Sequence, residues 1–170
     1  MDRALYCKYA SYYIDKFKDY PNIKIDKKWP CENIMHIYIS TDLPHFGFFM
    51  GIFPSMITFD GICICDDGIE FEDIETVDPD KVYKLFDKET ASIKSFIKEG
   101  LFIFAYKNGK EVLAASLDEM NRKDFLEKIN IQEVYKSCKD SRDLPFEEVD
   151  HIELRDFYND IIYTYNKQEN

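Results

Sequence analysis

The sequence predicts an α+β fold: an antiparallel sheet of about five to seven strands with N-terminal, central and C-terminal helices packed on it, all in one domain over residues 1–170. Three observations carry this expectation. Residues 34–40 (IMHIYIS) and 69–72 (IEFE) place apolar side chains with period two, as half-buried strands do. Asn108-Gly109 separates two apolar runs and is the strongest short-range hairpin signal in the chain. Within residues 2–19, 79–99 and 149–165, apolar side chains recur three and four apart, the period of an amphipathic helix.

In order, Leu5, Tyr9, Tyr12, Tyr13 and Phe17 mark the first helix, with Pro21 beyond its end. Residues 22–29 alternate weakly through Ile23 and Ile25 and read as a strand, followed by the stronger strand 34–40. Phe46–Phe53 and Ser55–Phe59 are apolar strands parted at Pro54, which cannot donate to a ladder. Ile62–Cys65 is an apolar run, and Asp66-Asp67-Gly68 supplies turn chemistry. Ile69–Glu72 follows as the second arm of a hairpin, with Glu70 and Glu72 on its wet side. Asp78-Pro79 is a helix start, because Asp caps and Pro at the first position loses no bond. That helix runs to Gly100, with a weak point around Lys88–Ser92 that allows one broken helix or two short ones. Leu101–Lys107 and Lys110–Ser116 form the Asn108-Gly109 hairpin. A helix capped by Asp118 is expected to about Ile131, with an extension to Cys138 as the alternative, and Lys136–Asp143 as a loop. A last helix over Val149–Tyr165 is expected to dock through Phe157, Ile161 and Ile162.

Charge is distributed less evenly than structure. The net charge is −11. From Trp29 to Asp80 there is no Lys or Arg in 52 residues, while eleven acids occur, eight of them within Asp66–Asp80. A phosphate backbone would be repelled by such a field, so nucleic acid is excluded as a partner, whereas a basic protein would be attracted and steered. The longest stretch without Asp, Glu, Lys or Arg, Leu43–Phe59, has 17 residues broken by Pro44, Gly47, Gly51 and Pro54, short of the about 20 apolar residues of a spanning helix. The N-terminus is charged and helix-patterned rather than a leader, and the cysteines are five, an odd number. Reduced thiols in a cytoplasmic setting are the expectation.

No residue pattern carries a reaction. Cys63 and Cys65 share a strand face but lack the further ligands and spacing of a zinc site, so core packing is the expectation for both. His36, His45 and His151 stand in no recognisable nucleophile context, and only six glycines occur, too few for cofactor-cradling loops. No cofactor and no metal are expected. The feature left over is the base-free acidic stretch. Asp66, Asp67, Glu70, Glu72, Asp73 and Glu75 are therefore the candidate partner-binding residues of a non-enzymatic protein with a basic protein partner. Toxin-inhibiting immunity proteins, small acidic α+β chains that neutralise a basic enzyme, have this profile of charge and size. The second reading is a small regulatory or scaffold domain with a pleckstrin-homology-like barrel and added helices, which would present an aromatic groove. The third is a small enzyme without a motif.

Overall fold

The computed structural model describes residues 2–61, 68–117, 122–138 and 144–167. The elements are α1 (Arg3–Asp15), β1 (Lys24–Cys31), β2 (Ile34–Ser40), β3 (Gly47–Ile52), β4 (Met56–Gly61), β5 (Gly68–Glu70), α2 (Pro79–Glu99), β6 (Leu101–Lys107), β7 (Lys110–Leu117), α3 (Arg122–Glu127), α4 (Ile131–Ser137), a short 3₁₀ turn at Phe146–Glu148, β8 (His151–Asp156) and β9 (Ile161–Asn166). The class is α+β. The strands form two antiparallel sheets, β1-β2-β3-β4-β5 and β7-β6-β8-β9, instead of the one sheet expected. The cause is the 21-residue α2 between β5 and β6: beyond it β6 takes β7 and β8 as its two neighbours, so each set of strands satisfies its own backbone groups. The chain divides into two compact units, Met1–Lys94 and Ser95–Asn170.

In the first unit the five strands run as a meander. Met35, Ile37 and Ile39 of β2, Phe48, Met50 and Ile52 of β3, and Ile57 and Phe59 of β4 are all buried, so alternation turns one face of the sheet inward. Rings join this face to the helices: Tyr13 of α1, Phe59 of β4 and Phe86 of α2 stand 5.6–6.1 Å apart in every pairing. Outside them, Lys16 bridges Asp87 at 2.6 Å and lies over the Tyr12 ring. Asp2 caps α1 by accepting the Ala4 N–H at 2.8 Å. Asp78 does the same for α2, accepting the Asp80 N–H at 3.1 Å. The expected weak point of α2 is bridged: Thr90 is buried and donates to the Phe86 carbonyl, so the helix continues unbroken.

The strand expected after Asp66-Asp67-Gly68 is present as β5, and it pairs with β4. Met56 pairs with Glu70, Ile57 with Ile69 and Thr58 with Gly68. Ile62–Cys65 and the turn residues Asp66 and Asp67 lie outside the described residues. The second arm stops at Glu70, because the Phe71 and Ile74 N–H groups turn to the Ser55 and Pro54 carbonyls. The sheet is open, with β1 and β5 at its edges, and the barrel alternative gains no support.

In the second unit α3 and α4 cover one face of the four-stranded sheet. Ile131, Val134, Tyr135 and Cys138 pack with Leu101, Ile103, Leu113, Ile152 and Leu154. Asp118, expected to cap a helix to about Ile131, lies outside the described residues; over 122–138 there are two helices, because Asn130 adopts extended backbone and starts α4 afresh. Asn108 and Gly109 have φ of 53° and 73°, the turn their sequence predicts. The C-terminal helix is corrected to the hairpin β8–β9. Asp156 accepts the Tyr158 and Asp160 N–H groups at 2.9 and 3.0 Å, and Asn159 takes φ 69°, which together make a turn where the helix needs its middle. Ile152 and Leu154 are two apart, a strand interval, and both are buried. Phe157 is buried in the turn, while Ile161 is 54% exposed. No helix among the described residues is long and apolar enough to cross a membrane.

Two stability tests follow from this packing. The hydroxyls of Tyr6, Tyr9 and Tyr13 are buried with no hydrogen-bond partner among the described residues, and burial, then the Glu89 charge, drives the Tyr13 phenol far above its ordinary pKa. Tyr13→Phe is expected to be neutral or to stabilise by about 1 kcal/mol in urea unfolding; a loss of that size would reveal a polar partner for the hydroxyl. At Gly109 an added Cβ meets nothing within 4 Å, so Gly109→Val tests backbone strain alone. A loss of roughly 1–2 kcal/mol is expected, and none at all would contradict the left-handed turn.

Candidate functional site

The outer face of the five-stranded sheet is built by register. Asp26 lies opposite Tyr38, Tyr38 opposite Phe49, and Phe49 opposite Asp60. Directly opposed residues project to the same side, about 4.5–5.5 Å apart. These four therefore form a row across β1–β4: carboxylate, phenol, phenyl, carboxylate. Their chain neighbours Ile37, Ile39, Phe48, Met50 and Phe59 are buried on the other side, which leaves the row facing outward. Tyr38 is one of three large apolar side chains exposed among the described residues.

Beside the row stand two more rings. His36 lies 4.9 Å from Phe49, nearly edge-on at 78°, and 6.0 Å from Phe53. Tyr38 and Phe49 are 5.2 Å apart. Gly51 leaves space for the Phe53 ring, since a Cβ there would come within 2.5 Å of it. Burial lowers the His36 pKa, which favours a neutral ring over an imidazolium on this face. Two cavities open here, of about 430 and 580 Å³, and Phe49 and Asp60 line both. Glu70 lines the larger.

The two ends of the row differ in occupancy. At one end the Lys28 ammonium sits 2.7 Å from Asp26 and 5.5 Å from the centre of the Tyr38 ring. The hydrogen bond to Asp26 raises the Lys28 pKa. At the other end Asp60 accepts the Gly61 N–H at 2.7 Å through Oδ1. Among the described residues no Lys or Arg pairs with Asp60 or covers Phe49.

The acids singled out from sequence fare differently from one another. Glu70, Glu72, Asp73 and Glu75 are exposed. Asp73 accepts the Glu75 N–H at 2.9 Å, and Glu75 accepts the Asp2 N–H at 2.6 Å, so both brace backbone. Glu70 alone lines a described cavity, and Asp66 and Asp67 lie outside the described residues. Sequence reasoning missed Asp26, Tyr38, Phe49 and Asp60 as a set. The alternation of IMHIYIS was the available signal for His36 and Tyr38, but only the pairing register brings the other two alongside. Cys7, Cys31 and Cys138 are free thiols, the last buried, and Cys63 and Cys65 lie outside the described residues. No group of three metal-ligating side chains occurs among the described residues.

In the second unit a polar network fastens three strands. His151 places Nε2 2.9 Å from Glu153 and Nδ1 2.7 Å from the Asn166 side-chain oxygen, so two acceptors face its two nitrogens. Arg155 donates to Glu153 at 2.8 Å, to Asn159 at 2.7 Å and to the Tyr106 hydroxyl at 3.2 Å, with its guanidinium 4.9 Å above Phe104. The network joins β6, β8, β9 and the turn between the last two, which is a fastening task. No family model, no curated protein and no solved structure matches this chain.

The network sets a pH dependence. The Glu153 hydrogen bond raises the His151 pKa above its ordinary 6.5. Its contribution is therefore fully present below about pH 6.5 and is lost as pH rises through the folded value. Burial pushes the Glu153 carboxyl up, but bonds from His151 and Arg155 outweigh it and hold the pKa below 4.5, so that contribution is lost only as pH falls through the lowered value. In an NMR titration, the His151 ring should titrate above 6.5 and the His36 ring below it. His151→Gln should remove the loss of stability on the alkaline side; an unchanged profile would show that the imidazolium adds nothing.

Proposed function

We propose that this chain is a non-enzymatic binding protein that takes a basic protein partner on the outer face of its five-stranded sheet. The observation that supports it best is the Asp26–Tyr38–Phe49–Asp60 row, with aromatic rings between carboxylates and two cavities beside Phe49. Rings with a negative face and carboxylates at their margins suit cationic side chains. The base-free span of residues 29–80 includes three of those four residues together with Glu70 and Glu72, so acids stand unmixed with bases of that span toward the Phe49–Asp60 end of the face. An inhibitor of a basic enzyme, of the immunity type, is one form of such a protein. A regulatory or scaffold domain is the second reading, favoured by the aromatic lining of the same cavities. Both bind protein, and they differ in whether the partner loses an activity.

The test begins with proteins that co-purify with the tagged chain from its native host, followed by stopped-flow association with the one that binds. Glu70→Gln with Glu72→Gln, two acids that brace no backbone group among the described residues, should leave the fold intact and slow association by roughly two- to tenfold at low salt, with a flatter salt dependence. Unchanged rate and salt slope would remove the acidic edge from the binding surface. A partner that proves acidic, or a nucleic acid, would overturn the reading.

A further inference from the structure

We infer that the Phe49–Asp60 end of the outer row is a pocket for a single Lys or Arg side chain of the partner, an inference that rests on the binding reading above. The argument comes from the other end of the same row. There the protein has already matched a cation to a carboxylate and a ring: Lys28 reaches Asp26 at 2.7 Å and overlies Tyr38 at 5.5 Å. Asp60 and Phe49 are opposed on neighbouring strands just as Asp26 and Tyr38 are. The row is thus nearly symmetric in chemistry, with an aromatic pair at its centre and an acid at each end. Among the described residues only one end is served by a lysine of the chain.

The remaining end has what a cationic side chain requires. Oδ1 of Asp60 is held by the Gly61 N–H, which fixes the carboxylate and leaves Oδ2 to accept. The cavities of about 430 and 580 Å³, which share Phe49 and Asp60 in their lining, leave room for a side chain beside the ring and the carboxylate. A guanidinium or ammonium there would combine an ion pair with a ring contact, and both gain strength as the partner excludes water. His36, 4.9 Å from Phe49 and with a lowered pKa, stands beside the pocket without an opposing charge at neutral pH. Span 29–80 contains no base to close the site from within.

The experiment uses small probes, so that it does not depend on finding the partner. The whole chain is titrated with Nα-acetyl-arginine methylamide and Nα-acetyl-lysine methylamide, with the norleucine analogue as the uncharged control, and read by NMR. Saturable shifts are expected at the Phe49 ring and at the Gly61 amide for both cations and for neither position with norleucine. Asp60→Asn should weaken the binding roughly tenfold, and Phe49→Leu should do likewise, with amide dispersion confirming the fold. Lys28→Met supplies the positive control: it vacates Asp26 and Tyr38, and a second saturable site should appear at the Tyr38 ring. Weak, unsaturable shifts spread over Glu70 and Glu72, or no shift at Phe49, would overturn the pocket. Those results would leave the acidic-surface reading standing, because that reading is judged by the partner's salt-dependent association. Saturation at Phe49 with an acidic or absent partner would do the reverse.

Discussion

A slip of one residue between β3 and β4 would turn Asp60 inward and push Ile57 and Phe59 into water. Because strand side chains alternate with period two, the register of a half-buried sheet is set by its buried set, and the wet set has no freedom of its own. Here the buried set is heavy: eight apolar side chains on β2, β3 and β4, closed against Tyr13 and Phe86 by ring contacts. Burial at about 25 cal/mol per Å² makes such a slip prohibitive. The outer row Asp26–Tyr38–Phe49–Asp60 is therefore positioned by side chains that point to the opposite face of the sheet. The same constraint explains why rings can stay partly exposed on the outer face without competing for the core, since that core is already filled from the other side.

Local patterns in the chain were legible to the extent that they were strictly local. Ile34–Ser40 and the Asn108-Gly109 turn could be read directly, because period-two alternation and left-handed turn residues are properties of adjacent side chains. Asp78-Pro79 announced α2 for the same reason. The failure at Val149–Tyr165 has a definite cause. Its apolar residues can be read as one helical stripe only by passing over the strand interval of Ile152 and Leu154, whereas Asp156 and Asn159 make a turn between HIELRD and the β-prone IIYTYN. The candidate site was illegible for a different reason. A row across four strands depends on three registers, and no spacing along the chain encodes which residue of one strand faces which residue of the next.

The acidic stretch also divides once its surroundings are known. Asp73 and Asp78 accept backbone N–H groups at the approach to α2, and Glu75 braces the N-terminus of α1. Carboxylates near helix starts interact favourably with the positive end of the helix dipole, so these positions serve the fold whatever the partner. Asp42 is paired with Lys24. Glu70 and Glu72 have no such task among the described residues, and Asp60 uses one oxygen and keeps the other. The charge that looked uniform along the sequence therefore separates into residues that hold backbone and residues that face outward.

That separation assigns different physical work to the two outward groups. Exposed carboxylates such as Glu70 and Glu72 act over about one Debye length and are screened by salt, so in the proposed complex they would change how often a basic partner arrives rather than how long it stays. A carboxylate beside rings and cavities, as Asp60 is, gains most of its strength after contact, when the partner has displaced water and the local dielectric has fallen. Exposed ion pairs alone are worth little, with a median of about 0–1 kcal/mol, so an acidic edge without the ring would give a fast and short-lived complex. The ring without the edge would bind slowly. With Phe49 and Asp60 on inner strands and β5 carrying Glu70 at the margin, the proposed complex would draw capture and retention from one sheet whose geometry is held from behind by its core.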